Sequence, residues 1–144
     1  LARTHHSWGQ GMLLQGQLDE AARAFDEADR IEVKLGNDAD PRRLAYRADR
    51  GRIAIARGDF AGAVGLLAPV LQQRAAGVKS ERANEHAERA ALAYAQCRLQ
   101  PDAVHVETLR EAGRQMQTTP PLPFALIAQA AGWAQECAAA VSAK

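Results

Sequence analysis

Residues 8–28 read WGQGMLLQGQLDEAARAFDEA, and residues 50–70 read RGRIAIARGDFAGAVGLLAPV. Shifted by forty-two positions, Gly9, Gly16, Leu18, Ala21, Phe25 and Ala28 return as Gly51, Gly58, Phe60, Ala63, Leu67 and Val70. Small positions stay small, and large apolar positions stay large. A fixed period of this order marks a repeat architecture, in which each unit buries its apolar face only against its neighbours. Chains built in this way serve mainly as binding surfaces.

The spacing inside each copy predicts a pair of helices. Gly9 and Gly51 lie midway along a first helix, where a missing side chain lets a second helix approach closely. Gly16 and Gly58 reverse the chain, because glycine takes a positive φ without steric cost. Leu18 and Phe60 open the return, Ala21 and Ala63 give a close crossing, and Phe25 and Leu67 fill the space between the helices. This order resembles the tetratricopeptide repeat, a helical pair of about 34 residues. The resemblance covers residues 5–32 and 47–70 and weakens beyond them. It implies an α-solenoid with a concave groove lined by the first helix of each unit.

Composition agrees with an all-α chain. The 144 residues are 47% apolar but only 5% aromatic, and alanine, the best helix former, is abundant. No window alternates with period two over a strand's length. Net charge is +1, which gives no general drive toward nucleic acid or an anionic membrane. The distribution is uneven: residues 1–40 carry a net −4 and residues 41–82 a net +6. No apolar run is long enough to span a bilayer, and no signal peptide is recognisable. The chain opens at Leu1 already in a helical pattern and reads as an excised piece of a longer protein. Cys97 and Cys137 sit among alanines and are expected to be buried, reduced thiols of a cytoplasmic protein.

Seven helices are predicted. The first reaches about Leu14 and the second spans about Leu18–Leu35, stopped by Gly36-Asn37-Asp38-Ala39-Asp40. The third, capped by Asp40 with Pro41 in its first turn, runs to about Arg57. Asp59 caps the fourth, which reaches about Ala76, with Pro69 expected to kink it or end its regular hydrogen bonding. Ser80 is the expected N-cap of a fifth helix to about Leu99, with Ala91 and Tyr94 at the repeat's small and large positions. Pro101-Asp102 opens a sixth to about Met116. Its Glu107 and Arg110 fall where apolar residues are required, so this unit is read as diverged or out of register by one or two residues. Thr118-Thr119-Pro120-Pro121-Leu122-Pro123 forms a connector to a seventh helix ending near Ala143. The chain is therefore read as one domain. Antiparallel hairpins lie at about 1–35, 41–76 and 80–116, and a capping helix covers about 123–143.

Residues able to carry chemistry are sparse. His5 and His6 are adjacent and point about 100° apart on a helix, so they cannot chelate one metal from the same face. His86 and His105 lack partners at zinc or iron spacings, and Glu85 is followed directly by His86, so there is no di-iron Glu-x-x-His pair. Ser7, Ser80 and Ser142 lack a nucleophile elbow, and no strand precedes Gly9-Gln10-Gly11 to make a phosphate loop. Neither an enzyme, a metal site nor a cofactor is expected.

Arg42, Arg43, Arg47, Arg50, Arg52 and Arg57 fall within sixteen residues against one acid, Asp49. One reading makes them a solvated face neutralised by Asp26, Asp29 and Glu32 of the second helix. The other makes them a receptor for an acidic peptide, since the guanidinium fork matches a carboxylate. The groove positions implied by the resemblance are Arg3, His6, Gln10 and Leu13 in the first unit. In the second they are Ala45, Ala48, Arg52 and Ile55, and in the third Glu85, Glu88, Leu92 and Ala95. Arg52 alone of the basic run belongs to this set. The Lys/Asn pairs with which some members clamp a C-terminal carboxylate are missing. The expected function is therefore protein–protein interaction, as a scaffolding or regulatory segment of a bacterial protein that binds a peptide or partner protein, acidic by the arginine reading, in the groove. The alternatives are a small-effector sensor for an attached kinase or transcription regulator, favoured by a cavity lined by Trp8, Met12 and Tyr94, and self-association as a homodimer through the seventh helix.

Overall fold

The computed structural model describes residues 1–36, 40–78, 82–118 and 124–144, with the backbone alone for 82–84. The described residues form seven helices and no strand. They are α1 (Ala2–Leu14), α2 (Leu18–Lys34), α3 (Arg42–Ala56), α4 (Phe60–Ala75), α5 (Arg82–Leu99), α6 (Ala103–Thr118) and α7 (Phe124–Ser142). Residues 37–39 of the expected turn, the Ser80 cap and residues 119–123 of the connector lie outside the described residues. Among the described residues, no helix is long and apolar enough to cross a membrane.

Local chemistry explains the boundaries. Gly16 and Gly58 take φ of 76° and 78°, and each closes a paired set of bonds at its helix end. The Gly16 and Gln17 amides donate to Leu13 and Met12, and the Gly58 and Asp59 amides to Ile55 and Ala54. This pattern satisfies carbonyls that a helix end would otherwise leave without partners. Asp59 Oδ1 accepts from the Gly62 amide at 2.9 Å, Asp40 Oδ1 from the Arg42 amide at 2.8 Å and Asp102 Oδ1 from the Val104 amide at 2.9 Å. These three bonds supply acceptors to the first turns of α4, α3 and α6.

Pro69 lies inside α4, which continues past it to Ala75. It sits on the exposed side together with Gly65. The carbonyl that loses its partner there is on a water-facing surface, which lowers the cost of a proline inside the helix.

Each helix packs on the next in sequence, and α3 also touches α1, α5 touches α3 and α7 touches α5. The glycines make the closest crossings: a Cβ on Gly9 would fall 2.6 Å from the Phe25 ring, and one on Gly51 would fall 2.7 Å from Leu67 Cγ. Ala21, Phe25 and Ile53 form a small core where α3 meets α2. A larger core runs from Leu44 through Leu67, Tyr94 and Leu109 to Cys137.

The third unit corrects the sequence reading. The forty-two-residue offset does not slip: Phe25, Leu67 and Leu109 are all buried, as are Ala28, Val70 and Ala112. On the first helices, Gly9, Gly51 and Ala93 are buried in the same register. Glu107 and Arg110, which looked like polar intrusions into the core, lie on the exposed face and pair with each other. The misreading came from the turn before α6. It has Gln100 where the other two turns have glycine, and among the described residues no non-glycine residue takes a positive φ.

The same register places one junction residue from each second helix against the following first helix. At the first junction, the Tyr46 hydroxyl donates to Glu32 at 3.4 Å, and Arg42 approaches Glu32 at 3.6 Å. Burial, reinforced by Glu32, pushes the Tyr46 pKa up to about 12. At the second, forty-two residues on, Arg74 meets Glu88 through two hydrogen bonds of 2.7 and 3.1 Å, with both side chains buried. At the third, the equivalent residues are the buried, apolar Met116 and Ala130. Burial raises the Glu88 carboxyl pKa above its ordinary value despite the opposing pull of Arg74, so desolvation outweighs the attraction within this pair.

The Arg74–Glu88 pair should therefore be replaceable although neither partner is separately dispensable. Glu88→Ala alone should cost about 3–5 kcal/mol, because it leaves a buried guanidinium uncompensated. Arg74→Met with Glu88→Ala, which copies the Met116–Ala130 junction, should stay within about 1 kcal/mol of the parent or exceed it. Urea denaturation of the three proteins would check both outcomes.

Candidate functional site

Most of the arginine run is spoken for. Arg43 Nε lies 2.6 Å from Asp29, Arg50 3.0 Å from Asp26, and Arg57 2.5 Å from Asp19. As the α3 number falls from 57 to 43, the α2 partner rises from 19 to 29, so these pairs form an antiparallel ladder along the α2–α3 seam. Arg42 binds Asp40 with a hydrogen bond of 2.6 Å, which raises the guanidinium pKa and lowers that of the carboxyl. The acidic second helix therefore takes up Arg42, Arg43 and Arg50 through Glu32, Asp29 and Asp26, as the solvated-face reading expected. Exposed pairs of this kind add little stability, but they set which faces meet.

Arg52 points elsewhere. Its guanidinium donates to Gln129 of α7 at 3.0 Å. Burial lowers its pKa against the opposing pull of Asp49 and Glu88, and the group stays a cation because its ordinary value is so high. Arg52 and Leu13 both line a cleft of about 570 Å³ bounded by α1, α3, α5 and α7, with Phe60 at the start of α4. Tyr94 and Trp133 stack within it, with ring centroids 4.7 Å apart and planes 8° from parallel. Phe60 meets Tyr94 edge-on at 6.0 Å, and the Arg98 guanidinium lies 4.6 Å from the Phe60 centroid.

Hydrogen bonds hold this aromatic group in place. Arg98 donates to the Tyr94 hydroxyl at 2.9 Å, and that hydroxyl donates to Glu136 at 2.5 Å. Burial, and next the Glu136 bond, raises the Tyr94 pKa above its ordinary value, while Arg98 pulls it down. The lining residues include two arginines, Arg52 and Arg98, of which Arg98 also lies 4.0 Å from Glu136. Aromatic faces beside fixed cations suit a flat or apolar group that carries a negative charge.

The other expected groove residues go to different places. His6 Nε2 lies 2.6 Å from Asp49 Oδ2, and Gln10 donates to the same oxygen at 3.1 Å. The His6 ring also meets Tyr46 edge-on at 4.7 Å. These groups form an α1–α3 clasp around a pocket of only about 50 Å³ that Arg52 and Leu126 also line, so His6 and Gln10 are already engaged. Arg3 is exposed on α1 and lines none of these pockets.

In the third unit, Glu88 of the expected set lines the small pocket with His6, Gln10 and Arg52, while the other members lie elsewhere. Glu88 is bound to Arg74, Ala95 is buried and Glu85 pairs with Arg89 at 3.3 Å. With the offset held at forty-two, the equivalent positions are Ala87, Ala90, Tyr94 and Cys97, of which Tyr94 reaches the cleft. Nor does the cleft have the composition specified for a sensor cavity. Tyr94 lines it, but Trp8 is exposed and Met12 does not reach it.

Sequence reasoning missed the contribution of α7. Ala125, Gln129 and Trp133 form one wall of the cleft, although this helix was read as a cap or a self-association surface. Gln129 stands at three times the forty-two-residue offset from Arg3, so the signal was present in the register.

The cysteines are also corrected: Cys97 and Cys137 form a disulfide, with Cα atoms 6.0 Å apart. Both fall in the buried α5–α7 contact, and the neighbouring alanines let the two helices come close enough for bonding. The bond fastens the Trp133 wall to the Tyr94 helix. Among the described residues, no group of three His, Cys, Asp or Glu side chains could hold a metal ion.

Replacing both cysteines with serine should lower stability by about 4 kcal/mol, given a closed loop of 40 residues. In a Trp8→Phe background, the change should also move Trp133 emission to longer wavelength as α7 loosens. Denaturation monitored by fluorescence measures both effects.

No protein-family model matches this chain, and no curated protein matches it significantly.

Proposed function

We propose that the chain is a protein–protein interaction module, an α-solenoid of tetratricopeptide-like hairpins that holds an anionic segment of a partner on its inner face. The observation that carries this reading is the cleft of about 570 Å³, where stacked Tyr94 and Trp133 lie beside Arg52 and Arg98. Rigid aromatic rings offer large contact area at low entropic cost, and arginine supplies directed donors, the residue types that dominate binding hot spots. The partner segment would place an apolar or aromatic side chain against Trp133 and a carboxylate between the arginines. We assign no reaction to the site.

The volume also lies within the range of small-molecule pockets. A small aromatic carboxylic acid is therefore the second reading, for a sensor attached to a larger regulator. The disulfide supports an oxidising compartment over the cytoplasm expected from the sequence.

Selection of displayed random peptides against the protein tests the reading. Enriched peptides should pair Asp, Glu or a free C-terminus with a neighbouring aromatic or leucine. Their affinity should fall with rising salt, and at least about tenfold in Arg52→Ala or Trp133→Ala, a loss of one buried hot-spot contact. Circular dichroism melts would show that both variants remain folded. Failure to enrich any peptide, or equal affinity for Arg52→Ala, would count against the groove. Saturable binding of indole-3-carboxylate without peptide binding would favour the sensor.

A further inference from the structure

A second groove lies at the far end of the stack, away from the aromatic cleft. In the first two units, the second helix covers the small position of the first, as the 2.6 Å and 2.7 Å approaches of Phe25 and Leu67 to Cβ atoms placed on Gly9 and Gly51 show. Ala93 and Leu109 stand at the same positions in the third unit. On α7 the equivalent residue is Gln135, which is exposed. Around it, Ile127, Ala131 and Ala138 of α7, with Leu109 and Gly113 of α6, line an open groove of about 510 Å³. The helix-covering surface of α1, α3 and α5 thus recurs on α7, with no helix of the described residues over it.

We infer that this groove receives an amphipathic helix from a partner protein, one carrying the small-x-x-x-large-x-x-apolar order of α2 and α4. The groove continues the interface by which α6 already packs on α5, so the shape of its occupant can be read from the three helices that fill the earlier positions. A second copy of this chain has no such helix to offer. Phe25, Leu67 and Leu109 are each buried within their own units, and α7 itself carries alanine at most of its apolar positions. The rim is polar, with Arg110, Arg114 and Gln117 above an apolar floor, the anatomy of a reversible interface. Gln135 departs from the register at the closest-crossing position, where Gly9, Gly51 and Ala93 are small and buried. Its side chain must swing toward the rim before a helix can settle, and this weakens docking.

The probe is a fluorescein-labelled peptide of residues 18–34, whose Ala21, Phe25 and Ala28 carry the required order, titrated with the intact protein and followed by anisotropy. The anisotropy should rise to saturation. Ala131→Glu should weaken binding at least about tenfold, a buried charge facing an apolar surface. Gln135→Ala should tighten binding several-fold, and Ala139→Glu, exposed on α7 outside the groove, should leave it unchanged. A peptide with Phe25→Ala should not bind. Circular dichroism melts confirm that the protein variants fold. No saturation up to about 1 mM peptide, the weak end of specific binding, overturns the inference. So does equal binding to Ala131→Glu, which would mean that the peptide displaces α2. A concentration-dependent dimer that Ala131→Glu abolishes, without peptide binding, overturns it in favour of a second copy.

Discussion

The close approach of paired helices at one small residue governs the rest of the structure. Gly9 and Gly51 leave room for Phe25 and Leu67 with no space for even a methyl group between them. Interiors pack at crystal density, so a crossing this tight fixes the rotation and height of both helices. Once each pair is set, the next first helix meets its predecessor along a determined strip. The junction residues then recur at forty-two residues: Glu32 meets Tyr46 and Arg74 meets Glu88, and the third pair of positions holds the buried Met116 and Ala130.

The constancy of that geometry allows the chemistry at the junctions to vary. A phenol–carboxylate contact, a buried ion pair and an apolar pair occupy equivalent places. Polar junctions carry a desolvation penalty, evident in the raised pKa of Glu88, and they penalise misregistered stacking, since a slip would leave a charge buried alone. The ladder from Arg57–Asp19 to Arg43–Asp29 adds a second, solvent-facing constraint on the α2–α3 seam. The cleft follows from the same register, which brings Arg52, Tyr94 and the α7 residue Gln129 to one inner surface. The Cys97–Cys137 bond then holds the α7 wall in place.

Much of this was legible in the sequence. Glycine turns, aspartate caps and apolar spacing located all seven helices to within about two residues, the ordinary uncertainty of helix ends. Legibility failed where a local signal had been replaced. Gln100 stands where the turn glycine was expected, so the third unit was anchored at the wrong residue, and its groove set left out Tyr94. The disulfide was hidden for a different reason. A forty-residue separation has no pairing signature, and only the contact of α5 with α7 brings the two sulfur atoms together. Arg52, singled out from the sequence as the one arginine of the basic run in the groove set, turns away from the ladder toward Gln129. Its aromatic neighbours, Phe60, Tyr94 and Trp133, come from three different helices and carry no shared motif.

The central claim is that one forty-two-residue register runs through α6, and comparing neighbouring positions on that helix tests it most directly. If the register holds, urea denaturation of Leu109→Ala should show a loss of about 2–5 kcal/mol. Arg110→Ala, one residue away on the exposed face, should stay within about 0.5 kcal/mol of the parent. Comparable losses at the two positions, or a larger loss at Arg110, would contradict the account.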